Sequence, residues 1–434
     1  MSLAFFVVTA LTGISAIGPD RTVDVGNGLR CSVAAVGDVD LDAVPDFALA
    51  RRGPGPEGFG GPQPPVGPGV VWVFSGADGR RLRTIEPPAP CTDFGRAIED
   101  VGDSNGDGHR DLAIAGGNRV WLFSGATGAL LHELGPHLVA EGFGDTLAGG
   151  RDVDGDGCTD VAVYRSGKHT RRVACVFLFS GRSGELLRVL ACEVPTNLLD
   201  SEREAVVLVP GTTLAQGIAL VPDRDGDKRA DIAVAAWPER ERPSYGGTAE
   251  ITIWSSRKWR TLFRCSVPGW PWLVRVLEDV NGDDLAELVV SCPDEFVLVC
   301  SGSDGTVLHS QEYGDGYMHS EGTSVDVLGD VDGDGRSDFL VGANETTMDC
   351  DPGWVFLHSG ADGHELRAFG IPDYDEHDCG VGMDTCAIGD ANADGVCDIA
   401  VHMPRIHEAR VLSGTDFSVI TTVDLSDLEP VERR

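Results

Sequence analysis

Several things are missing from this chain, and each absence argues against a class of function. None of its 12 cysteines pair as C-x-x-C, so neither a zinc knuckle nor a thioredoxin-type redox centre is expected. Two readings stay open for them: disulfides formed outside the cytosol, or small apolar residues in buried runs such as those around Cys175, Cys300 and Cys386. There is no H-E-x-x-H, no G-x-S-x-G and no P-loop, and the 11 histidines do not cluster at metal-ligand spacing. Catalysis is therefore not expected. Basic residues are scarce: 34 Lys and Arg stand against 69 Asp and Glu, a formal net charge of −35. That balance argues against nucleic acid as a partner, because phosphate binding needs clustered basic side chains. No apolar run is long enough to span a bilayer. Residues 4–17 (AFFVVTALTGISAI) read as the h-region of a signal peptide with Ala16 at the cleavage point, although no basic residue precedes Arg21. The other reading of residues 1–20 is a mature N-terminal strand. Export is the expectation.

What the chain has in excess is turn chemistry. Its 57 glycines and 24 prolines follow no collagen period, which points to many short strands joined by tight loops. An acidic nonapeptide recurs seven times: DVDLDAVPD (38–46), DSNGDGHRD (103–111), DVDGDGCTD (152–160), DRDGDKRAD (223–231), DVNGDDLAE (279–287), DVDGDGRSD (330–338) and DANADGVCD (390–398). Apolar runs flank each copy, such as SVAAV (32–36) before the first and FALA (47–50) after it. Further on, each copy is followed by an apolar run, a short Ser-Gly turn and a second strand-like run, as in VVWVFSGADGRRL (70–82). The turns of copies four (ITIWSSRKWRTL, 251–262) and seven (RVLSGTDFSVI, 410–420) lack the closing glycine, so they are expected to differ in type.

Each repeat thus holds two hairpins, four strands in up-and-down order, and the period-2 patterning excludes helical repeats. Seven such units predict an all-β fold: a seven-bladed β-propeller of four-stranded antiparallel blades. It would occupy residues 26–425, with blades at approximately 26–88, 89–136, 137–194, 195–267, 268–311, 312–371 and 372–425. An open solenoid is disfavoured because neither end shows a polar capping repeat.

The nonapeptide has the chemistry of a calcium loop. Ca²⁺ takes six to eight oxygen ligands, and Asp at alternate positions of a tight loop turns several carboxylates inward. Asp38, Asp40, Asp42 and Asp46 fill positions 1, 3, 5 and 9 of the first copy, with Val44 at position 7 to offer its backbone carbonyl. The same places hold Asp103, Asn105, Asp107 and Asp111 with His109; Asp152, Asp154, Asp156 and Asp160 with Cys158; and Asp223, Asp225, Asp227 and Asp231 with Arg229. The last three copies hold Asp279, Asn281, Asp283 and Glu287 with Leu285; Asp330, Asp332, Asp334 and Asp338 with Arg336; and Asp390, Asn392, Asp394 and Asp398 with Val396. An EF-hand needs a bidentate Glu at position 12, which here is Leu49, Ile114, Val163, Val234, Val290, Val341 and Val401. That reading fails. One Asp-rich stretch alone is as often a solvated turn, but seven in register imply about seven structural Ca²⁺, one per blade. Position 6 is where glycine fits best; with Lys228 there, loop 4 should be the weakest site, and loops 3 and 6 the tightest.

The nonapeptide followed by an x-A-V strand resembles the FG-GAP repeat of the integrin α-subunit propeller, over roughly residues 26–425. Phe94-Gly95 and Phe143-Gly144 keep the FG element, and Gly342-Ala343 keeps part of GAP. The resemblance implies metal loops on a lower face that stiffen the fold, and ligand binding on the upper face. The integrin ligand-contacting D-x-S-x-S is absent. Loops expected on the upper face differ in length and chemistry: 51–69, 164–172, 237–248, 268–272, 313–321 and 372–380. Exposed Trp, Tyr and Arg there suit either a protein interface or a sugar site. A lectin of this architecture should repeat its pocket between blades, and no such recurrence is visible. The sequence therefore predicts an extracellular, monomeric binding or adhesion module for a protein ligand, with a glycan as the alternative ligand and a polysaccharide-degrading enzyme as the remoter one.

Overall fold

The computed structural model describes residues 31–51, 69–91, 93–135, 142–166, 174–192, 198–209, 212–238, 248–269, 271–292, 296–312, 319–345, 353–370, 384–403 and 407–426. Their strands form seven antiparallel sheets, each built from strands consecutive in the chain. The first holds Cys31–Gly37, Asp46–Arg51, Val70–Phe74 and Arg81–Ile85, named here the inner, second, third and outer strands. The other sheets span 97–134, 143–208, 212–268, 273–312, 319–370 and 384–424. Inner strands touch one another in cyclic order, and the last returns to the first. The protein is a seven-bladed β-propeller. The third blade departs from the four-stranded pattern: Val206–Leu208 adds a fifth strand, parallel to Leu186–Ala191, after a 3₁₀ turn at Asp200–Ala205.

Each blade pair encloses one hydrophobic core, seven in all. The second strands lie between two neighbouring blades, so both of their faces are covered; Asp111–Gly116 (DLAIAG) and Asp160–Arg165 (DVAVYR) are buried at every residue. This is why they read as continuous apolar runs with small residues, while outer strands such as Arg81–Ile85 are partly exposed over most of their length. Blade one closes on blade seven face to face, Phe47, Trp72 and Phe74 packing with Ile388, Ala400 and Val411, and among the described residues no strand is exchanged. Thr421 Oγ1 adds hydrogen bonds to the Gly76 and Ala77 carbonyls across this seam, each 3.2 Å. Across the axis, Arg275 Nη2 of blade five lies 3.6 Å from Glu99 Oε2 of blade two.

The FG elements have a packing reason. Phe94 is fully buried against Trp121, ring centroids 5.6 Å apart. Gly95 (φ +83°) lies so close to blade one that an added Cβ would meet Ala50 Cβ at 2.7 Å. Gly144 (φ +85°) stands in the same relation to Ala115 of blade two. A small residue is needed there twice over, for backbone conformation and for blade spacing.

The turns of blades four and seven correct the sequence expectation: they do not differ in type. Trp259 N–H donates to Ser255 O (2.9 Å) and Phe417 N–H to Ser413 O (2.8 Å), as Gly79 N–H does to Ser75 O (2.9 Å). Trp259 and Phe417 take φ of 51° and 60° to do so. Left-handed backbone costs a non-glycine residue about 1–2 kcal/mol, and packing on the preceding blade offsets it. The Arg188 guanidinium sits over the Trp259 ring at 5.4 Å, and Phe417 meets Phe369 edge to face at 6.2 Å.

Two buried histidines give the fold an acid limit. His402 is 1% exposed with no hydrogen-bond partner on Nδ1, and burial pushes its imidazole down to about 3. His358 stacks on Phe339 and is pushed down to about 4, again by burial. A base whose folded pKa lies below its unfolded value of about 6.5 contributes its full stability above that pH and loses it as pH falls towards the folded value. His402→Leu is therefore expected to lose less stability than the parent between pH 7 and 4.5, by roughly 2–3 kcal/mol. Urea unfolding with saturating calcium at both pH values measures this, and identical pH slopes would refute it.

Candidate metal centres on one face

The acidic loops join inner to second strands, and the Ser-Gly turns join third to outer strands, so both emerge at the same end of each sheet. One hydrogen-bond scheme recurs in all seven loops. The position-9 carboxylate accepts the position-2 N–H at 2.7–3.0 Å, as Asp46 does from Val39 and Asp398 from Ala391. Position 1 accepts the position-6 N–H at 2.6–2.9 Å. Position 5 accepts the N–H of position 7 (Val44, His109, Cys158, Arg229, Leu285, Arg336, Val396) at 2.8–3.1 Å. Side chains at position 7 vary freely because only their backbone enters the scheme.

The position-9 residue also accepts the N–H of the turn residue after Ser: Gly76, Gly125, Gly181, Ser256, Gly360 and Gly414 at 3.0–3.1 Å, and Gly302 likewise on Glu287. Here the glycine has a steric reason. A Cβ on Gly360 would fall 1.9 Å from Ser337 O, and one on Gly76 1.9 Å from Pro45 O. The two repeated motifs are thus one locked unit, a relation that spacing alone did not reveal. Neighbouring loops interlock as well: Thr159 N–H bonds Asp103 O at 3.0 Å and Ala230 N–H bonds Asp152 O at 2.8 Å.

Ligand oxygens lie within 4.8 Å of one another in Asp38, Asp40 and Asp42; in Asp152, Asp154 and Asp160; in Asp223, Asp225 and Asp227; in Asp279, Asp283 and Glu287; and in Asp330, Asp332 and Asp338. Asp46, Asp156, Asp231 and Asp334 stand outside these close sets. In loops 2 and 7 the position-3 amide faces the acids: Asn105 Nδ2 donates to Asp107 Oδ2 (3.0 Å), and Asn392 Nδ2 to Asp394 Oδ2 (3.0 Å). Asn281 of loop 5 does the same to Glu287 at 2.8 Å. Asp103, Asp111, Asp390 and Asp398 complete these two loops through the backbone scheme above.

Burial pushes the Asp160 carboxyl up to about 7, and Asp46 and Asp231 up to about 6, against the pull of backbone N–H groups; nearby acids such as Asp154, Asp40 and Asp225 add to the rise. Asp40 Oδ1, Asp225 Oδ1 and Asp227 Oδ2 are buried with no hydrogen-bond partner. Converging oxygen donors, some unpaired and buried, suit a hard cation such as Ca²⁺.

Positive φ is required at position 4 as well as position 6, which the sequence reading missed. Position 4 holds Leu41 (64°) and Ala393 (61°) beside glycines such as Gly106 (82°). Loop 1, with both Leu41 and Ala43 (71°), carries two strained residues where loop 4 carries only Lys228 (68°). The expected upper-face segments 52–68, 167–172, 239–247, 313–318 and 372–380 lie outside the described residues.

No family model and no curated protein matches this chain. Among solved structures it is similar to BBS1N in complex with ARL6DN (TM-score 0.48, 12% identity, covering 78% of this chain and 83% of that one). It is also similar to the C-terminal WD40 domain of Sif2 (0.47, 13%, 92% and 87%) and to Saccharomyces cerevisiae Sqt1 (0.49, 9%, 91% and 85%).

Proposed function

We propose that this protein is an integrin-like, FG-GAP-type propeller, stabilised by about seven structural Ca²⁺, that acts outside the cytoplasm as a non-enzymatic binding module for a protein ligand. The observation that supports the reading is the repetition of one backbone loop geometry at the same end of all seven blades, with carboxylate oxygens converging within 4.8 Å in five of them. Positions 1, 3, 5 and 9 would supply side-chain oxygens and position 7 a backbone carbonyl; the ion would supply the positive charge that the acids lack. With that end of the ring given to metal, the partner is assigned to the opposite end. The strand ends there are joined by connections as unequal as 52–69, 117–118 and 293–295. Calcium at extracellular levels can fill sites too weak for cytosolic calcium.

Elemental analysis after dialysis against trace calcium is expected to find close to seven Ca²⁺ per chain; two or fewer, or zinc, would overturn the metal assignment. A glycan array run with calcium, beside a pull-down from extracellular extract, tests the ligand class. Saturable glycan binding without a protein partner would replace the protein reading with the lectin one.

A further inference from the structure

Among the described residues, three loops have an acid paired with a cation from the turn of the same blade, which the sequence pattern does not show. Because each Ser-Gly turn is pinned to the position-9 carboxylate of its own blade, the turn's side chains lie against that blade's acids. In blade one Arg80 pairs with Asp40, position 3 of loop 1. In blade three Arg182 Nε lies 3.1 Å from Asp156 Oδ2, position 5 of loop 3, and its Nη2 donates to Asp156 O at 3.2 Å. In blade four Lys258 Nζ lies 2.7 Å from Asp225 Oδ2, position 3 of loop 4. The three cations come from different turn positions, so no fixed spacing announces them.

Their exposure describes lids over the acids. The Lys258 side chain is 44% exposed and the Asp225 side chain only 6%. Lys258 covers one oxygen of Asp225; the other, Oδ1, is buried and without a hydrogen-bond partner, and Asp225 offers an oxygen to the close set it forms with Asp223 and Asp227. One lysine charge stands against four aspartates, so the loop still presents bare carboxylate to a cation. Blade seven puts neutral donors in the same place, Thr415 Oγ1 to Asp394 Oδ2 at 2.9 Å. Among the described residues no ion pair is formed by the acids of loops 2, 5, 6 and 7, but loops 2, 5 and 7 carry Asn at position 3, so loop 6 alone keeps four aspartates, Asp330, Asp332, Asp334 and Asp338, with no ion pair.

Resting on the calcium reading above, we infer that Arg80, Arg182 and Lys258 are built-in counter-ions that hold loops 1, 3 and 4 together without metal and weaken their calcium affinity, leaving loop 6 the tightest site. The seven loops then fill over a range of calcium concentration set by the turn of the same blade. A unit charge about 5 Å from a divalent ion, screened by water and salt, is worth about tenfold in affinity.

The test is a calcium titration of the full chain against a chromophoric chelator, with calcium-free melting measured in parallel. Lys258→Met and Arg182→Met are each expected to tighten one binding constant about tenfold and to lower the melting temperature in chelator, while Lys258→Arg behaves as the parent. Asp332→Ala is expected to remove the tightest constant. If both Met variants bind calcium with unchanged or weaker constants, or Asp332→Ala removes a weak one, the counter-ion inference fails and the calcium reading stands. If the parent itself binds no calcium, the calcium reading fails first and the inference falls with it.

Discussion

Removing calcium is expected to lower the melting temperature by roughly 10 °C or more. A ligand that binds only the folded state stabilises it by RT ln(1 + [Ca²⁺]/Kd), about 2.7 kcal/mol per site at a hundredfold excess. Several such sites rival a whole net folding free energy of about 5–15 kcal/mol. Without the ion, five of the loops keep carboxylates converging within 4.8 Å, at most one of them paired with a cation of the same blade's turn, and burial already drives Asp160, Asp46 and Asp231 towards protonation. Asp334→Ala isolates the effect in one loop. Among the described residues, the Asp334 side chain makes one hydrogen bond, accepting the Arg336 N–H at 2.8 Å on an exposed surface. The substitution should therefore cost well under 1 kcal/mol in chelator and about 2–3 kcal/mol in excess calcium. Thermal melts in both conditions decide it; a melting temperature that moves by only a degree or two on chelation would leave the loops without a stabilising role.

The fold was legible because the sequence repeats its instructions. Seven acidic loops and seven hairpins, six with Ser-Gly and one with Ser255-Ser256, fix strand order and number, and the small apolar second strands record burial on both faces. Illegible features depended on contacts between segments distant in sequence. Trp259 and Phe417 occupy glycine positions because Arg188 and Phe369 of the preceding blade receive their rings. The fifth strand at Val206–Leu208 is too short to carry a periodic signal. Position 4 gives a weak signal in sequence because Leu41 and Ala393 break its run of five glycines, and only their φ shows the conformation that all seven residues share. The same limit applies to loop 3. Its acids resemble those of loop 6 in sequence, but Arg182 folds onto Asp156 from a turn 26 residues away.

Position 9 should behave unlike position 5, because its carboxylate is part of the framework as well as a candidate ligand. Asp338 is fully buried and accepts three N–H groups: Val331 at 2.8 Å and Asp332 at 3.3 Å on one oxygen, and Gly360 at 3.0 Å on the other. Its carboxylate is the joint between the acidic loop and the Ser-Gly turn of blade six. Asp338→Ala leaves those donors without partners, and a buried unsatisfied donor costs about 1–3 kcal/mol. The expected loss is about 3–5 kcal/mol, and it should persist in chelator, where Asp334→Ala is nearly silent. Asp338→Asn is the sharper variant because it changes almost no volume. One oxygen survives to accept, while the amide nitrogen is turned towards an N–H that needs an acceptor. It should approach the alanine variant in stability, with amide exchange at Gly360 accelerating alongside that at Val331. Were Asp338→Asn to match the parent in chelator, the carboxylate would serve the ion alone, and the lock between the two repeated motifs would not need its charge.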